Sequence, residues 1–180
     1  MHLCKLAKVS SNLSDSREVF VTHYKEKYSR PYLPPIWAMV ETLTLGELSK
    51  WLINTNDNAI KKEIAKEIGL PTLDILEGVI QCIALIRNIC AHHGRLWNRR
   101  IVKPLPNIKK LAVVLEKETD SNQLKKELFN YLVVICHIMK TIQPQTSWLH
   151  RLSTHIQTLT PEQQAAMGFP RYWTENEFFW

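Results

Sequence analysis

The segment from Arg87 to Arg99 holds the residue types of this chain that can do chemistry on a nucleic acid. An apolar helical run there suddenly carries Arg87, Asn88, His92 and His93. Arginine presents a planar fork of donors that can neutralise a phosphate, and histidine can give and take a proton near neutral pH. Together these side chains supply what is needed to cleave RNA without a metal ion.

A single helix must position these groups, and we predict that it runs from Asp74 to His93. Asp74 and Glu77 have capping-box spacing at its start, and Gly94 has the position of a C-cap at its end. The apolar stripe of this helix is expected to face the core. Its predicted members are Ile75, Val79, Ile83, Ile86 and Cys90.

Helical geometry separates the two histidines. At about 100° per residue, Asn88 and His92 fall on the face opposite the apolar stripe, and Arg87 lies at the edge of the stripe. His93 falls among the apolar residues, so we expect it to pack or bond locally and to support a site formed by Arg87, Asn88 and His92. Small residues beside the polar face form a candidate dimer seam, namely Gly78, Ala84 and Ala91.

The residues directly after this helix are predicted to contact RNA. Three arginines surround Trp97, a combination typical of phosphate contacts beside a stacking platform for a base. The alternative interpretation is a basic loop whose Trp97 is anchored in the core. The candidate RNA-binding residues are Arg95, Trp97, Asn98, Arg99 and Arg100.

No metal site and no cofactor are predicted. Cys90, His92 and His93 are too crowded to converge on one ion, and Cys136 and His137 are neighbours on opposite helix faces. The sequence contains no paired CxxC, no HExxH and no Gly-rich phosphate loop.

The composition is typical of one globular domain, which we predict to span residues 1–180. The chain has 180 residues, of which 45% are hydrophobic and 22% are charged, and its net charge is +6. That mild excess of basic residues is compatible with a nucleic-acid partner without requiring one. No apolar stretch approaches the roughly 18 residues of a membrane span. Free buried thiols, expected for the cysteines in apolar runs, favour the cytoplasm; these are Cys82, Cys90 and Cys136.

Helical periodicity recurs along the chain and β-alternation is almost absent, so the predicted fold class is all-α. Ser14 or Asp15 is expected to cap the first complete helix, and Asn56 or Asp57 to cap the third. Residues 1–9 resemble the last turns of an earlier helix, and an aromatic tail over 160–180 is expected to pack on the bundle. The other predicted helices are 17–28, 36–52, a short helix ending at Glu67, 107–117, 121–143 and 146–159.

The central segment resembles the Arg-x4-His motif of the HEPN superfamily, with Arg87 and His92 at its ends. The wider pattern is similar to one branch, the bacterial Abi-like proteins of abortive phage infection. The resemblance covers about residues 17–180, and the matching pieces are 34–41, 45–49, 87–99 and 166–170. Relatives carry a further helical segment before Met1, so we expect this chain to be a fragment or a truncated relative.

The resemblance implies a HEPN-like helical bundle that forms a homodimer, in which two motifs face one cleft. It also implies metal-independent RNA cleavage, with an antitoxin or inhibitor as a further partner. In that chemistry His92 acts as general base or acid, Arg87 stabilises the charged phosphorane, and Asn88 orients the histidine or a phosphate oxygen. The expected products carry a 2′,3′-cyclic phosphate and a 5′-hydroxyl, and DNA is expected to be inert because it lacks the attacking hydroxyl.

Two other interpretations stay open at this point. The first is a HEPN-type module that has lost activity and binds RNA, a nucleotide or a partner through the same cleft. The second is a purely structural helical bundle, which leaves the polar strip on an otherwise apolar helix without an explanation.

Overall fold

The computed structural model describes residues 2–119, 121 and 123–175. Over these residues the regular structure is helical, and the β-pairing consists of one isolated bridge between Lys117 and Leu124. The predicted all-α class is therefore confirmed. The chain divides into two compact units, Met1–Leu52 and Ile53–Trp180. No described helix is long and apolar enough to cross a membrane.

The first unit contains four helices around a small apolar core. They are α1 (His2–Asp15), α2 (Val19–Lys27), α3 (Ile36–Val40) and α4 (Leu45–Ile53). Val9 and Leu13 of α1 and Val21 of α2 are buried together. The partly buried side chains packed against these three residues are Phe20, Leu33, Met39, Leu43 and Trp51.

Two predicted boundaries in this unit are wrong. Ser14 and Asp15 end α1 instead of capping α2, and the Ser14 hydroxyl donates to the carbonyl of Ser10 at 2.9 Å. The predicted helix over 36–52 is divided into α3 and α4 by a capping box. The Glu47 carboxylate accepts from the Thr44 N–H at 2.9 Å, and the Thr44 hydroxyl accepts from the Glu47 N–H at 3.2 Å. This reciprocal pair starts a new helix at Leu45.

The second unit is built on α6 (Leu73–Ala91), which packs against α5 (Asn58–Glu67) and α7 (Leu128–Ile142). Two further helices follow, α8 (Trp148–Gln157) and α9 (Pro161–Ala166). Asp57 caps α5 as predicted, since its carboxylate accepts from the N–H groups of Ala59 and Ile60 at 2.8 and 3.1 Å. The buried side chains of α7 form much of the core, including Phe129, Tyr131, Val133, Val134 and Cys136.

The predictions for residues 107–127 are wrong. In place of a helix over 107–117 there is a short 3-10 turn, Lys109–Leu111, and α7 begins at Leu128 instead of near residue 121. The chain between them folds back on itself, with the Lys125 N–H donating to the Glu116 carbonyl at 3.0 Å. Asn130 of α7 holds this loop through hydrogen bonds to the backbone of Glu116 and Lys125.

The C-terminal segment packs on the second unit as far as Trp173. Met167, Phe169 and Trp173 are buried, and the Phe169 ring lies 5.0 Å from Phe129 and 5.2 Å from Trp173, centroid to centroid. Offset and edge-on ring pairs of this kind add to the burial of apolar surface. The last three aromatic residues of the predicted tail, Phe178, Phe179 and Trp180, lie outside the described residues.

The cysteines differ from their prediction at one position. Cys82 and Cys136 are buried as expected, whereas Cys90 is exposed together with Cys4. Desolvation by burial raises the pKa of Cys82 to about 11 and that of Cys136 to about 12. Cys90 lies in the last turn of α6, where Asn88 and Ile89 are half-buried while Cys90 and Ala91 are exposed.

Alkylation should separate these thiols into two classes. The thiolate is the nucleophile, and a raised pKa leaves Cys82 and Cys136 protonated at mildly alkaline pH. We expect iodoacetamide to modify Cys4 and Cys90 in the native protein and all the cysteines after denaturation, measured by mass spectrometry of peptides. Rapid native labelling of Cys82 would contradict the burial of its thiol against the carbonyls of Lys103 and Pro104.

Candidate functional site

Helix α6 positions the candidate catalytic residues, and its start differs from the prediction. The N-cap is Thr72, whose side-chain oxygen accepts from the Ile75 N–H at 3.3 Å, so the expected capping box of Asp74 and Glu77 is wrong. Buried side chains then fix the helix in the core of the second unit. These are Leu76, Val79, Cys82, Ala84 and Ile86. The last turn of α6 is left at the surface, where polar chemistry is possible.

The C-terminus of α6 is closed by a Schellman motif. The His93 N–H donates to the Cys90 carbonyl at 3.0 Å, and the Gly94 N–H donates to the Ile89 carbonyl at 2.7 Å. The residue in the left-handed conformation is His93, with φ of 53°, and not Gly94 as the sequence predicted. Glycine is required at position 94 for space, because a Cβ there would lie 2.9 Å from the Ile89 carbonyl oxygen.

The side chains of Arg87 and Asn88 are in contact, and His92 lies one helical turn after Asn88. The Arg87 guanidinium donates from Nη1 to the Asn88 amide oxygen at 3.2 Å. His92 is the C-cap residue, and its backbone N–H donates to the Asn88 carbonyl at 3.0 Å. Within the described residues, no ion pair involves Arg87 and no hydrogen bond joins the His92 ring to either neighbour. Arg87 and His92 are both exposed and therefore accessible to a ligand.

The predicted placement of His93 among apolar residues is wrong. His93 is exposed, because the helix ends at Ala91 and the left-handed backbone turns position 93 away from the helical face. Its supporting role for the site stays a prediction.

The candidate dimer seam is also wrong for two of its three residues. Ala84 is buried within the chain. A Cβ on Gly78 would lie 3.2 Å from Cγ of Pro106, so this small residue makes room for a loop of its own chain. Ala91 alone of the three is exposed.

The predicted RNA-binding residues form a turn directly after α6. Trp97 is 40% exposed and is not anchored in the core, and the Arg95 guanidinium lies 6.0 Å from its ring centroid. The Arg99 N–H donates to the Leu96 carbonyl at 3.2 Å, and Asn98 has a left-handed φ of 49°. An exposed indole beside a guanidinium can stack on a nucleobase.

The two final arginines of this segment differ in their surroundings. Arg100 forms an ion pair with Glu118 at 2.8 Å, which takes up part of its capacity for phosphate. Arg99 forms no ion pair with any described residue and lines a cleft of about 320 Å³. Lys125 and Glu127 line the same cleft and were not predicted from the sequence. Their segment is distant along the chain and was predicted to be helical, so spacing gave no signal for them.

The part of the chain that the structure describes contains no set of side chains that could bind a metal ion. No group of three or more His, Cys, Asp or Glu side chains there could hold an ion. The chemistry available to the exposed residues is proton transfer by His92 and phosphate binding by Arg87.

These observations define an all-helical protein with an exposed Arg-x4-His motif at the C-terminal end of a central helix. A family model described as Abi-like protein matches residues 2–98, which is more than half of the chain. The protein therefore belongs to the Abi-like protein family, and this membership suggests a role in abortive-infection defence against phages. The matched region includes α6 and ends at Asn98, so Arg99 and Arg100 lie beyond it. No curated protein and no solved structure matches the chain.

Proposed function

We propose that this protein is a metal-independent endoribonuclease effector of bacterial abortive infection, of the HEPN type and acting in the cytoplasm. The observation that carries the proposal is the exposure of Arg87 and His92, five residues apart at a helix end that is closed by backbone hydrogen bonds. Arg87 has no carboxylate partner among the described residues. An exposed guanidinium without an anion is available to a phosphate of RNA.

The proposed reaction is transfer of a phosphate ester within the RNA chain. His92 accepts the proton of a ribose 2′-hydroxyl, and the 2′-oxygen attacks the adjacent phosphorus. The bond from phosphorus to the 5′-oxygen breaks, and a protonated imidazole returns a proton to that oxygen. The products are a 2′,3′-cyclic phosphate and a 5′-hydroxyl. General acid–base catalysis of this kind contributes about 10²- to 10⁴-fold to a rate.

Arg87 and Asn88 act on the phosphate in this scheme. The Arg87 guanidinium stabilises the negative charge that develops on the phosphorane. This interaction accelerates the chemical step because it is stronger in the transition state than in the bound substrate. The hydrogen bond from the Arg87 guanidinium to the Asn88 amide oxygen restricts where the guanidinium can lie. A homodimer in which two motifs face one cleft would supply a second imidazole as the acid. An antitoxin or inhibitor that covers the motif would keep the enzyme inactive before infection.

The second candidate function is a non-catalytic module that binds RNA or a nucleotide and acts through a partner. The exposed Trp97 beside Arg95 favours this alternative, because stacking and phosphate contacts are sufficient for binding. Salt-sensitive RNA binding without cleavage would decide for the module.

The ends of the products test the enzymatic proposal. Purified protein is incubated with cellular RNA in the presence of EDTA, and the fragments are analysed for 2′,3′-cyclic phosphate and 5′-hydroxyl ends. We expect cleavage with these ends, and no cleavage of DNA or of 2′-O-methyl RNA of the same sequence, because both lack the nucleophile. Fragments bearing 5′-phosphate ends would exclude the proposed chemistry.

A further inference from the structure

A polar cleft in the second unit lies between the turn after α6 and the start of α7. We call this site the Arg99 cleft. Its polar lining residues are Asn98, Arg99, Arg100, Glu118, Lys125 and Glu127. Its volume of about 320 Å³ is sufficient for one nucleobase with part of its sugar-phosphate. Gly168 forms part of its wall.

Two of the cations in the Arg99 cleft already have partners. Arg100 pairs with Glu118 at 2.8 Å, and Lys125 pairs with Glu116 at 3.4 Å. Arg99 is exposed and has no ion pair among the described residues. The cleft therefore retains one cation that is available to an anionic ligand.

Glu127 is the second group of the cleft that lacks a partner. Its Oε2 atom is buried, and no hydrogen-bond donor reaches it among the described residues. Glu127 occupies the N-cap of α7 but makes no capping hydrogen bond with its side chain. A buried acceptor without a donor is costly, and this cost is removed when the carboxylate turns toward the cleft and accepts from the donors of a ligand there.

The position of Glu127 is fixed by close packing. Gly168 has a left-handed φ of 82°, and a Cβ there would lie 2.6 Å from Cβ of Glu127. The absence of a side chain at 168 thus permits the backbone there to pack against the Cβ of Glu127. This contact holds the first carbon of the Glu127 side chain at the wall of the Arg99 cleft.

We infer that the Arg99 cleft binds a guanosine nucleotide, with Glu127 reading the base and Arg99 binding a phosphate. Among the four bases, guanine presents two adjacent donors, N1–H and the 2-amino group, which match the two acceptor oxygens of a carboxylate. Adenine, cytosine and uracil offer no such pair on that edge. This inference rests on the proposed function, in that it assigns guanosine as the preferred nucleotide of the RNA.

Binding of oligonucleotides that cannot be cleaved tests the inference separately from catalysis. The probes are short 2′-O-methyl uridine oligonucleotides with one central guanosine, adenosine or inosine, measured by fluorescence anisotropy in EDTA. We expect the guanosine probe to bind about tenfold more tightly than the adenosine probe, as for one bidentate base contact. Inosine lacks the 2-amino group and should fall between them. Failure of cleavage would leave this result unaffected.

Two variants that each remove one negative charge from the cleft identify the carboxylate that gives the guanosine preference. Glu127→Gln replaces one acceptor with a donor and should remove the guanosine preference. Glu118→Gln lies in the same cleft but should retain the preference, while it releases Arg100 and raises affinity for all probes. Competition with free GMP against AMP shows whether a free nucleotide binds as well as RNA does. Equal binding of the guanosine and adenosine probes by the parent, or a preference that survives Glu127→Gln, would overturn the inference.

Discussion

Replacing His92 with alanine is expected to lower the rate of RNA cleavage by about 10³-fold, because the variant lacks the proposed proton acceptor. The measurement is the initial rate of cleavage of one defined RNA in EDTA by parent and variant. His92 is exposed at the C-cap, and its structural contribution is a backbone N–H bond to Asn88 that alanine retains. We therefore expect the thermal unfolding temperature to change little.

A matched control is available in His155. This imidazole is also exposed and lies in the last turn of another helix of the second unit, α8. His155→Ala removes the same chemical group from a similar place and should cleave RNA at the parent rate. If His92→Ala cleaves as fast as the parent, the role assigned to His92 is wrong.

His93→Asn provides a second comparison inside the motif. Asparagine tolerates the left-handed backbone at position 93 better than most residues, so it removes the ring without adding strain. We expect this variant to retain more activity than His92→Ala, since His93 is assigned a supporting role.

The helices that the sequence predicted well are those with local signals that no distant contact opposes. Asp57 caps α5 because its carboxylate has the first-turn N–H groups within reach, whatever else the chain does. The break between α3 and α4 also has a local signal, the capping-box spacing of Thr44 and Glu47, but the prediction missed it. The apolar residues on both sides obscured it, because they continue the helical pattern through the break.

The loop before α7 could not be predicted from local propensity. Five of the seven residues at 121–127 are good helix formers, namely one glutamine, one leucine, two lysines and one glutamate. A distant contact decides the structure instead, because Asn130 binds the backbone of Glu116. Tertiary contacts of this kind override weak intrinsic preferences.

The candidate site was only partly predictable for the same reason. Arg87 and Asn88 lie on α6 and His92 is its C-cap, so local spacing places the three residues at one helix end; their joint role stays a prediction. The face calculation failed at His93 because it assumed a continuous helix, whereas the helix ends at Ala91. Glu127 and Arg99 line one cleft, and the Ile101 N–H donates to the Lys126 carbonyl at 2.7 Å between their segments; spacing along the sequence carries no information on that approach.

Replacing Asn130 with alanine is expected to destabilise the second unit by about 3 kcal/mol, because partly buried backbone groups lose their partners. The Asn130 side chain is 1% exposed and makes three hydrogen bonds. It accepts from the Glu116 N–H at 2.8 Å, and it donates to the carbonyls of Glu116 and Lys125 at 2.7 and 3.0 Å. Urea unfolding followed by circular dichroism measures the change in the free energy of unfolding.

The matched control for this change is Asn107→Ala, at an exposed asparagine of the same unit. We expect it to alter the free energy of unfolding by less than about 0.5 kcal/mol, as for most surface substitutions. A loss of less than about 1 kcal/mol in Asn130→Ala would mean that water replaces the amide and that the loop is not held by it.

The Asn130→Ala substitution is also expected to affect the Arg99 cleft. Glu118 and Lys125 lie in or at the end of the loop that Asn130 holds, and both line the cleft. At a temperature where Asn130→Ala is still folded, we expect weaker binding of the guanosine probe, while His92 and Arg87 on α6 keep their geometry. Cleavage should then fall through substrate affinity, seen as a raised KM with a kcat close to that of the parent. A fall in kcat alone would place the effect of Asn130 on the catalytic motif and not on the cleft.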